Sequence, residues 1–122
     1  MPDGATHQAQ VERNRQARDA MRAARATDPA ADWARQWELL AVFYMALHWV
    51  DRSLAASGQH PTAHRQRAGA AAQRWPAERD ARRAFHALWR LAEQVRYDGY
   101  VPSDDDLRAA DTALALLFER YT

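Results

Sequence analysis

Apolar residues recur along this chain at intervals of three and four, the spacing that places side chains on one face of an α-helix. The second predicted helix has the widest apolar surface, with Trp33, Trp37, Leu40, Tyr44, Leu47 and Leu54 on one side and Phe43 and Val50 beside them. Such breadth is typical of the central, most buried helix of a bundle. The last predicted helix has the most regular period, made by Leu107, Ala110, Leu114, Leu117, Phe118 and Tyr121.

Local signals for helix ends divide the chain further. The first helix is predicted over about residues 6–26 and is mostly polar. Asp28-Pro29 has the sequence of an N-cap followed by proline at the first position of the second helix, and Gly58 lies where that helix is expected to end. His60, directly before Pro61, is expected to cap a third, shorter helix.

Two more breaks complete the prediction of an all-α fold. Pro76 separates the third helix from a fourth, which is predicted to end at Asp98-Gly99. Ser103 followed by Asp106 resembles a capping box at the start of the fifth helix. Because the connections are short, we expect an antiparallel bundle of four to five helices. Residues 1–122 are predicted to form one domain, with an N-terminal helix in residues 1–27 and a core in residues 28–122.

The composition limits the cellular compartments in which the protein is expected and the kinds of site that it can form. The chain has no cysteine, which excludes disulfides and cysteine-based zinc sites. Its N-terminal residues lack the apolar run of a secretory signal. The longest apolar stretch, Leu39 to Val50, is shorter than the roughly 20 residues that span a bilayer. We therefore expect a cytoplasmic protein without membrane contact, and no residue pattern indicates a cofactor.

Charge is distributed unevenly along the chain. All 17 basic residues are arginine, and the net charge is +1. Between His60 and Arg96, eight arginines face three acidic residues, a local charge of +5, whereas residues 97–122 have a local charge of −4. A basic middle beside an acidic end indicates either a nucleic-acid footprint or helices that pair with each other.

A polar stripe interrupts the most apolar helix. His48 and Asp51 lie four and seven residues after Tyr44, so the three residues share one side of the helix. Burying such groups costs about 1–3 kcal/mol each unless partners satisfy them. The expected partners lie on the third and fourth helices and are His64, Arg67, Arg82, Arg96 and Tyr97.

Three interpretations of this stripe remain open. The first is a structural hydrogen-bond network that locks three helices together. The second is a phosphate or nucleotide pocket, with Arg67 and Arg96 as anion ligands. The third is a Zn²⁺ or Ni²⁺ site made by His48, His60, His64 and Asp51. Because no tight ligand motif is present, no metal site is predicted.

Three short strings of the chain occur in a recognisable order. They are Phe43-Tyr44-Met45-Ala46-Leu47-His48 followed by Val50-Asp51, then His64 with Arg67, then Arg96-Tyr97. In this order and spacing they resemble small bacterial HEPN-domain proteins (higher eukaryotes and prokaryotes nucleotide-binding), over about residues 33–106. The resemblance implies a helical bundle, often dimeric. Many members are ribonucleases of toxin–antitoxin and antiphage systems, and others are inactive binding or scaffold modules.

The ribonuclease members of that family place Arg ahead of His with four to six residues between. Arg79 and His86 fit the longest form, with Asp80 where the family commonly has Asn. The resemblance therefore implies a metal-free ribonuclease in which His moves protons and Arg holds the scissile phosphate. The alternative is an exposed basic helix face, on which Arg79, Arg82, His86, Arg90 and Glu93 lie together.

The five tryptophans of the chain help to predict where it contacts a partner. Trp37 and Trp89 are expected in the core, whereas Trp49 and Trp75 are expected at an interface, because an exposed indole offers large apolar area and one donor. Homodimerisation is the expected use of that interface, with a partner helix as the alternative.

Two function classes follow from these observations. The first is a non-catalytic interaction or accessory module of a bacterial defence, toxin–antitoxin or multi-subunit system, with a partner protein encoded nearby. The second is a metal-independent ribonuclease or RNA-binding protein that uses Arg79 and His86. We favour the first, because the Arg–His spacing is stretched and the polar stripe has the character of a structural network.

Overall fold

The computed structural model describes residues 2–122, and these residues form five α-helices and no strand. The helices are α1 (Gly4–Thr27), α2 (Asp32–Ala55), α3 (His64–Arg74), α4 (Arg79–Asp98) and α5 (Asp104–Arg120). The prediction of an all-helical bundle is therefore confirmed. Within residues 2–122, no helix combines the length and the apolar character needed to cross a membrane.

The core of the bundle is built around α2, as its broad apolar surface predicts. This helix packs against α1, α3, α4 and α5, and α4 packs in turn against α5. Its fully buried side chains include Leu39, Val42, Phe43, Met45 and Leu54. The other helices each present a narrower apolar stripe to it, such as Leu107, Leu114 and Leu117 of α5. A helix surrounded in this way has little solvent to hydrate polar side chains on its buried sides.

Several helix ends follow the local signals in the sequence. The capping box of α5 is confirmed, because the Ser103 hydroxyl accepts the Asp106 backbone N–H and the Asp106 carboxylate accepts the Ser103 backbone N–H. Gly99 ends α4 in the left-handed region, at φ +68°, where glycine carries no steric penalty. Asp3 caps α1 by accepting the Thr6 backbone N–H at 2.8 Å.

Two helix starts differ from the prediction. α2 begins at Asp32 rather than at Asp28-Pro29, because the Asp28 carboxylate accepts the Ala30 backbone N–H and stabilises the connection between α1 and α2 instead. α3 begins at His64, and no side chain caps it from the N-cap position. His60 therefore does not cap this helix, which corrects the expectation from the sequence.

The mostly polar α1 is attached to α2 through a buried carboxylate, an arrangement that the sequence analysis missed. Glu38 of α2 is completely buried, with 0% of its side chain exposed. Its carboxylate accepts hydrogen bonds from Arg25 Nε at 2.5 Å and Arg22 Nε at 3.2 Å, both on α1. Arg22 also donates to Asp111 of α5 at 2.6 Å. These arginines compensate a charge that would otherwise be expensive to bury; we call Glu38, Arg22 and Arg25 the arginine clamp.

Removal of both arginines is expected to leave Glu38 as an uncompensated buried charge. The Arg22→Met/Arg25→Met variant should lose about 3–5 kcal/mol of unfolding free energy, because methionine keeps an apolar stem but donates no hydrogen bond. Urea unfolding near neutral pH, followed by circular dichroism, measures this loss. The matched control is Arg15→Met, since Arg15 pairs at 3.4 Å with an exposed Glu12 and should contribute less than about 1 kcal/mol. Equal losses in the two variants would show that the arginine clamp does not hold α1.

Candidate functional site

At its C-terminal end, the predicted polar stripe forms a buried ion pair with an arginine of α3. Asp51 of α2 and Arg67 of α3 are both buried and meet in bidentate geometry, with Arg67 Nε 2.6 Å from Asp51 Oδ1 and Arg67 NH2 2.9 Å from Oδ2. The remaining Arg67 terminal nitrogen, NH1, lies 3.1 Å from His64 Nδ1. All three nitrogens of Arg67 are thus engaged within the protein. This geometry favours the structural interpretation over an anion pocket that would use Arg67 as a ligand.

His48 in the middle of the stripe pairs with α1 rather than with α3 or α4. Its Nδ1 lies 3.0 Å from Nδ1 of His7, which is buried near the start of α1. Since one ring nitrogen must donate and the other accept, this contact requires at least one neutral imidazole. Burial lowers the pKa of His48, and the neighbouring His7 lowers it further. The His7–His48 hydrogen bond therefore attaches the N-terminal half of α1 to α2 as long as at least one of the two rings is neutral.

The three residues of α4 that were predicted to join the network lie outside it. Arg96 and Tyr97 are exposed, Tyr97 at 72%, and the Arg96 guanidinium stacks on the Tyr97 ring at 5.1 Å instead of reaching Asp51. They directly follow the buried Val95, so the helical period turns them away from the core. Arg82 donates to the backbone carbonyls of Trp75 and Pro76, at 3.0 and 3.3 Å, and closes the α3–α4 connection.

The two tryptophans expected at an interface both pack against the C-terminal residues of the chain. Trp75 is buried and stacks on Tyr121, with ring centroids 4.2 Å apart. Trp49 is half-buried, donates its indole N–H to the Tyr121 carbonyl at 2.6 Å and packs edge-on against Phe118. The expectation that these indoles are exposed is wrong, because the C-terminal residue pair after α5 folds back against both of them.

The exposed indoles belong instead to Trp33 and Trp37, one turn apart on α2. Their exposed fractions are 55% and 60%, which corrects the placement of Trp37 in the core. Trp89, the other tryptophan expected there, is half-buried against the core cluster. We call Trp33 and Trp37 the tryptophan ridge. Large exposed indoles on the helix that forms the centre of the core make this surface a candidate for interaction with a partner.

The tryptophan ridge is exposed because α3 is too short to cover the whole of α2. α3 has 11 residues against 24 in α2, and its first residue, His64, already packs on Phe43 in the middle of α2. α3 therefore covers the C-terminal half of that side, where Asp51 lies, and leaves the N-terminal half open. The signal was present in the sequence, since Pro61 and Pro76 limit the third helix to little more than a dozen residues.

Grooves flank the tryptophan ridge on both sides. A groove of about 530 Å³ lies between α1 and α2 and is lined by apolar side chains that include Met21. A second groove, of about 370 Å³, lies between α2 and α4 and includes Tyr97. Trp37, Leu40 and Tyr44 line both grooves, so Trp37 projects between them. The result is a surface with one ridge and two depressions, of which the groove beside α1 is mostly apolar and the groove beside α4 also includes Gln36 and Arg96.

The candidate catalytic residues lie on a different surface. Arg79, the first residue of α4, and His86 are both exposed and are two turns apart, about 10 Å along the axis. With Arg83 and Arg90 they lie on the solvent side of α4, and we call these four residues the arginine stripe. His86 packs edge-on against Trp89 at 5.5 Å. The helix period keeps Arg79 and His86 on one side without bringing them into contact.

The charges of α3 and α4 are mostly unpaired. Within residues 2–122, seven of the eight arginines from Arg65 to Arg96 form no ion pair, and the exception is Arg67. Elsewhere arginines are commonly paired, as Arg35 is with Asp104 at 2.7 Å. The acidic C-terminal segment does not neutralise the basic middle as a whole, so the arginine stripe remains available to an anionic partner.

No three His, Cys, Asp or Glu side chains among residues 2–122 are close enough together to hold a metal ion. Comparison of the chain with protein-family models, with curated proteins and with solved structures gives no significant match. The case for function therefore depends on the residues and their geometry.

The His7–His48 pair predicts a loss of stability in mild acid. The pKa of His48 in the folded protein lies below its ordinary value of 6.5, so the unfolded chain takes up a proton at this residue before the folded protein does. The unfolding free energy therefore decreases as the pH falls below 6.5. Asp51 raises this pKa and Arg67 lowers it, but burial and His7 dominate. The unfolding free energy, measured by urea titration at a series of pH values, should fall below pH 6.5 in the wild type.

The His48→Gln variant should show a shallower fall, since glutamine does not titrate; the part of the fall that remains is expected from His64, whose pKa burial also lowers. His60→Gln, which changes an exposed ring, is the control and should follow the wild-type profile. Superimposable pH profiles for wild type and His48→Gln would exclude this role for the pair.

Proposed function

We propose that this chain is a non-catalytic, HEPN-like interaction module that assembles through the tryptophan ridge of α2. The observation that carries the proposal is the exposure of Trp33 and Trp37, at 55% and 60%, on the helix around which the core is built. Tryptophan is among the residues that contribute most to protein interfaces, because it brings a large rigid apolar surface. A partner that covers both indoles removes this surface from water.

The occupant of this surface, in our proposal, is a second copy of the same chain. A projecting Trp37 with a groove on each side is self-complementary, because around a two-fold axis each copy can place its ridge in a groove of the other. The small side chains of Ala17 and Ala41 in the larger groove leave room for an indole. Such a dimer leaves the arginine stripe of α4 outside the contact.

The resemblance to HEPN proteins indicates the kind of biological system in which this module would act. It supports a place in a bacterial defence, toxin–antitoxin or other multi-subunit system, in which the dimer binds a protein encoded nearby. Asp51 and His64 engage all three nitrogens of Arg67, which fits a structural rather than a catalytic use of the polar stripe. The separation of Arg79 from His86 points in the same direction.

Replacement of the tryptophan ridge is expected to separate the dimer. Wild-type protein should elute with the mass of two chains in gel filtration with light scattering, and Trp33→Ser/Trp37→Ser should elute with the mass of one. Circular dichroism should show equal helix content for both, because neither indole is buried in the chain. The control is Arg83→Ser/Arg90→Ser, which changes exposed residues of α4 and should remain dimeric.

A monomeric wild type at concentrations of tens of micromolar would refute the choice of occupant. A dimer that survives loss of both tryptophans would refute the choice of surface. A monomer that forms a one-to-one complex with the purified product of a neighbouring gene, and loses it in the tryptophan variant, would assign the ridge to that protein instead.

A second candidate function, RNA binding, is favoured by the unpaired arginines of α3 and α4. Arg79, Arg83 and Arg90 extend about 17 Å along one side of α4, with no carboxylate partner among residues 2–122. Guanidinium groups bind phosphates through paired N–H donors. His86 lies among them, where a ribonuclease of the HEPN type would place its proton-transfer group.

The same two variants test this candidate. If the arginine stripe binds RNA, Arg83→Ser/Arg90→Ser should weaken binding of a labelled single-stranded RNA about tenfold or more in fluorescence anisotropy, and added salt should weaken wild-type binding steeply. The RNA affinity of Trp33→Ser/Trp37→Ser should be closer to that of the wild type than the affinity of Arg83→Ser/Arg90→Ser is. RNA cleavage that disappears in His86→Ala would identify a ribonuclease; absence of RNA binding at low salt would exclude this candidate.

A further inference from the structure

The groove between α2 and α4 has a strongly exposed aromatic side chain on each of its two helices. Trp37 of α2 is 60% exposed and Tyr97 of α4 is 72% exposed, and both line this groove of about 370 Å³. The side-chain amide of Gln36, which also lines it, donates to the backbone carbonyls of Gly99 and Tyr100 at 3.3 and 3.2 Å. This contact attaches α2 to the end of α4 beside the groove, so the groove is formed by the chain itself.

The helical period places Tyr97 in line with the arginine stripe. Tyr97 follows Arg90 by seven residues and Arg83 by fourteen, and both intervals return to nearly the same side of an α-helix. From Arg79 to Tyr97 the line extends about 27 Å along the helix axis. The three arginines on it form no ion pair within residues 2–122. An anionic chain that lies along these arginines therefore reaches the groove at its end.

The charge along this line changes close to the groove. Glu93 is exposed, lies between Arg90 and Arg96 on α4, and forms no ion pair within residues 2–122. Its carboxylate disfavours a phosphate at this point. Arg96 lines the groove and places its guanidinium over the Tyr97 ring, 5.1 Å from the centroid. The groove end of the line therefore suits an uncharged planar group better than a phosphate.

We propose that an unpaired base of a single-stranded nucleic acid stacks on Tyr97 in this groove, while the phosphates of the strand lie on the arginine stripe. Proteins bind single strands by combining a cationic surface for the phosphates with aromatic rings, on which any base can stack because every base has a π face. The inference rests on the second candidate function, RNA binding, and specifies a single strand, because the bases of a duplex are stacked on one another. The proposed dimer places an indole in the larger groove, beside α1, and does not require Tyr97.

The proposal is tested by fluorescence anisotropy of labelled adenine oligonucleotides of about ten nucleotides, titrated with the full chain at low salt. Tyr97→Ser should raise the dissociation constant of the single-stranded RNA about tenfold, because it removes the stacked ring. Single-stranded DNA should show the same loss, since adenine has the same face in both. An RNA duplex, and a strand with the same number of phosphates but no bases, should bind the wild type and Tyr97→Ser equally.

Tyr100→Ser is the matched control, because Tyr100 is an exposed tyrosine near the same helix end that does not line the groove. It should bind the strands as the wild type does, and circular dichroism should show equal helix content in all three proteins. If Tyr97→Ser binds single strands as tightly as the wild type, the inference fails while RNA binding by the arginine stripe stands. If the wild type binds no strand at low salt, both fail.

Two further outcomes would overturn the stacking role of Tyr97 in particular. A loss of affinity in Tyr97→Ser that is equally large for the strand without bases would mean that Tyr97 supports the arginine surface rather than a base. A loss seen with RNA and not with DNA would assign Tyr97 to the ribose 2′-hydroxyl, the group by which RNA differs from DNA.

Discussion

The fold depends on one constraint, which is that the polar groups of a helix buried on most of its sides must find their partners on its neighbours. α2 carries two carboxylates at such positions, Glu38 and Asp51, and both are met by arginines from other helices. Arg22 and Arg25 fix α1 against the N-terminal half of α2, and Arg67 fixes α3 against its C-terminal half. Apolar packing alone would tolerate sliding or rotation of these helices. Because an unpaired buried charge is expensive, we infer that the ion pairs select one arrangement.

That arrangement also decides which surface is left uncovered. α3 is positioned by Asp51 and is too short to extend over the first half of α2, so Trp33 and Trp37 remain in solvent. α1 passes beside them and forms one wall of a groove, and the end of α4 forms a wall of the other. The exposure of the tryptophan ridge, on which the proposed interaction depends, therefore follows from how the buried charges are paired. The arginine stripe of α4 shares no residue with the tryptophan ridge or its two grooves, so the two proposed contacts would use different surfaces of the domain.

The sequence predicts the local parts of this structure well, because helix period, caps and breaks are encoded within a few residues. The five helices, the capping box at Ser103 and the central position of α2 follow from such signals. What period cannot predict is coverage: it assigns Trp37 to one side of a helix but does not say whether another helix lies over that side. Glu38 was missed for a related reason, since its partners belong to a helix that looks solvated. Trp75 was misplaced because its cover, Tyr121, comes from the distant C-terminus.

The central claim is that the pairing of α2 with its neighbours leaves Trp33 and Trp37 in solvent, whereas Trp75 is buried and Trp49 and Trp89 are half-buried. Fluorine NMR of protein labelled with 5-fluorotryptophan measures this directly, through the solvent isotope shift of each assigned resonance in H₂O and D₂O. The account predicts large isotope shifts for Trp33 and Trp37 in dilute protein, which diminish as the concentration rises, and small shifts for Trp75 at every concentration. A large shift for Trp75, or small shifts for Trp33 and Trp37 in a demonstrated monomer, would contradict it.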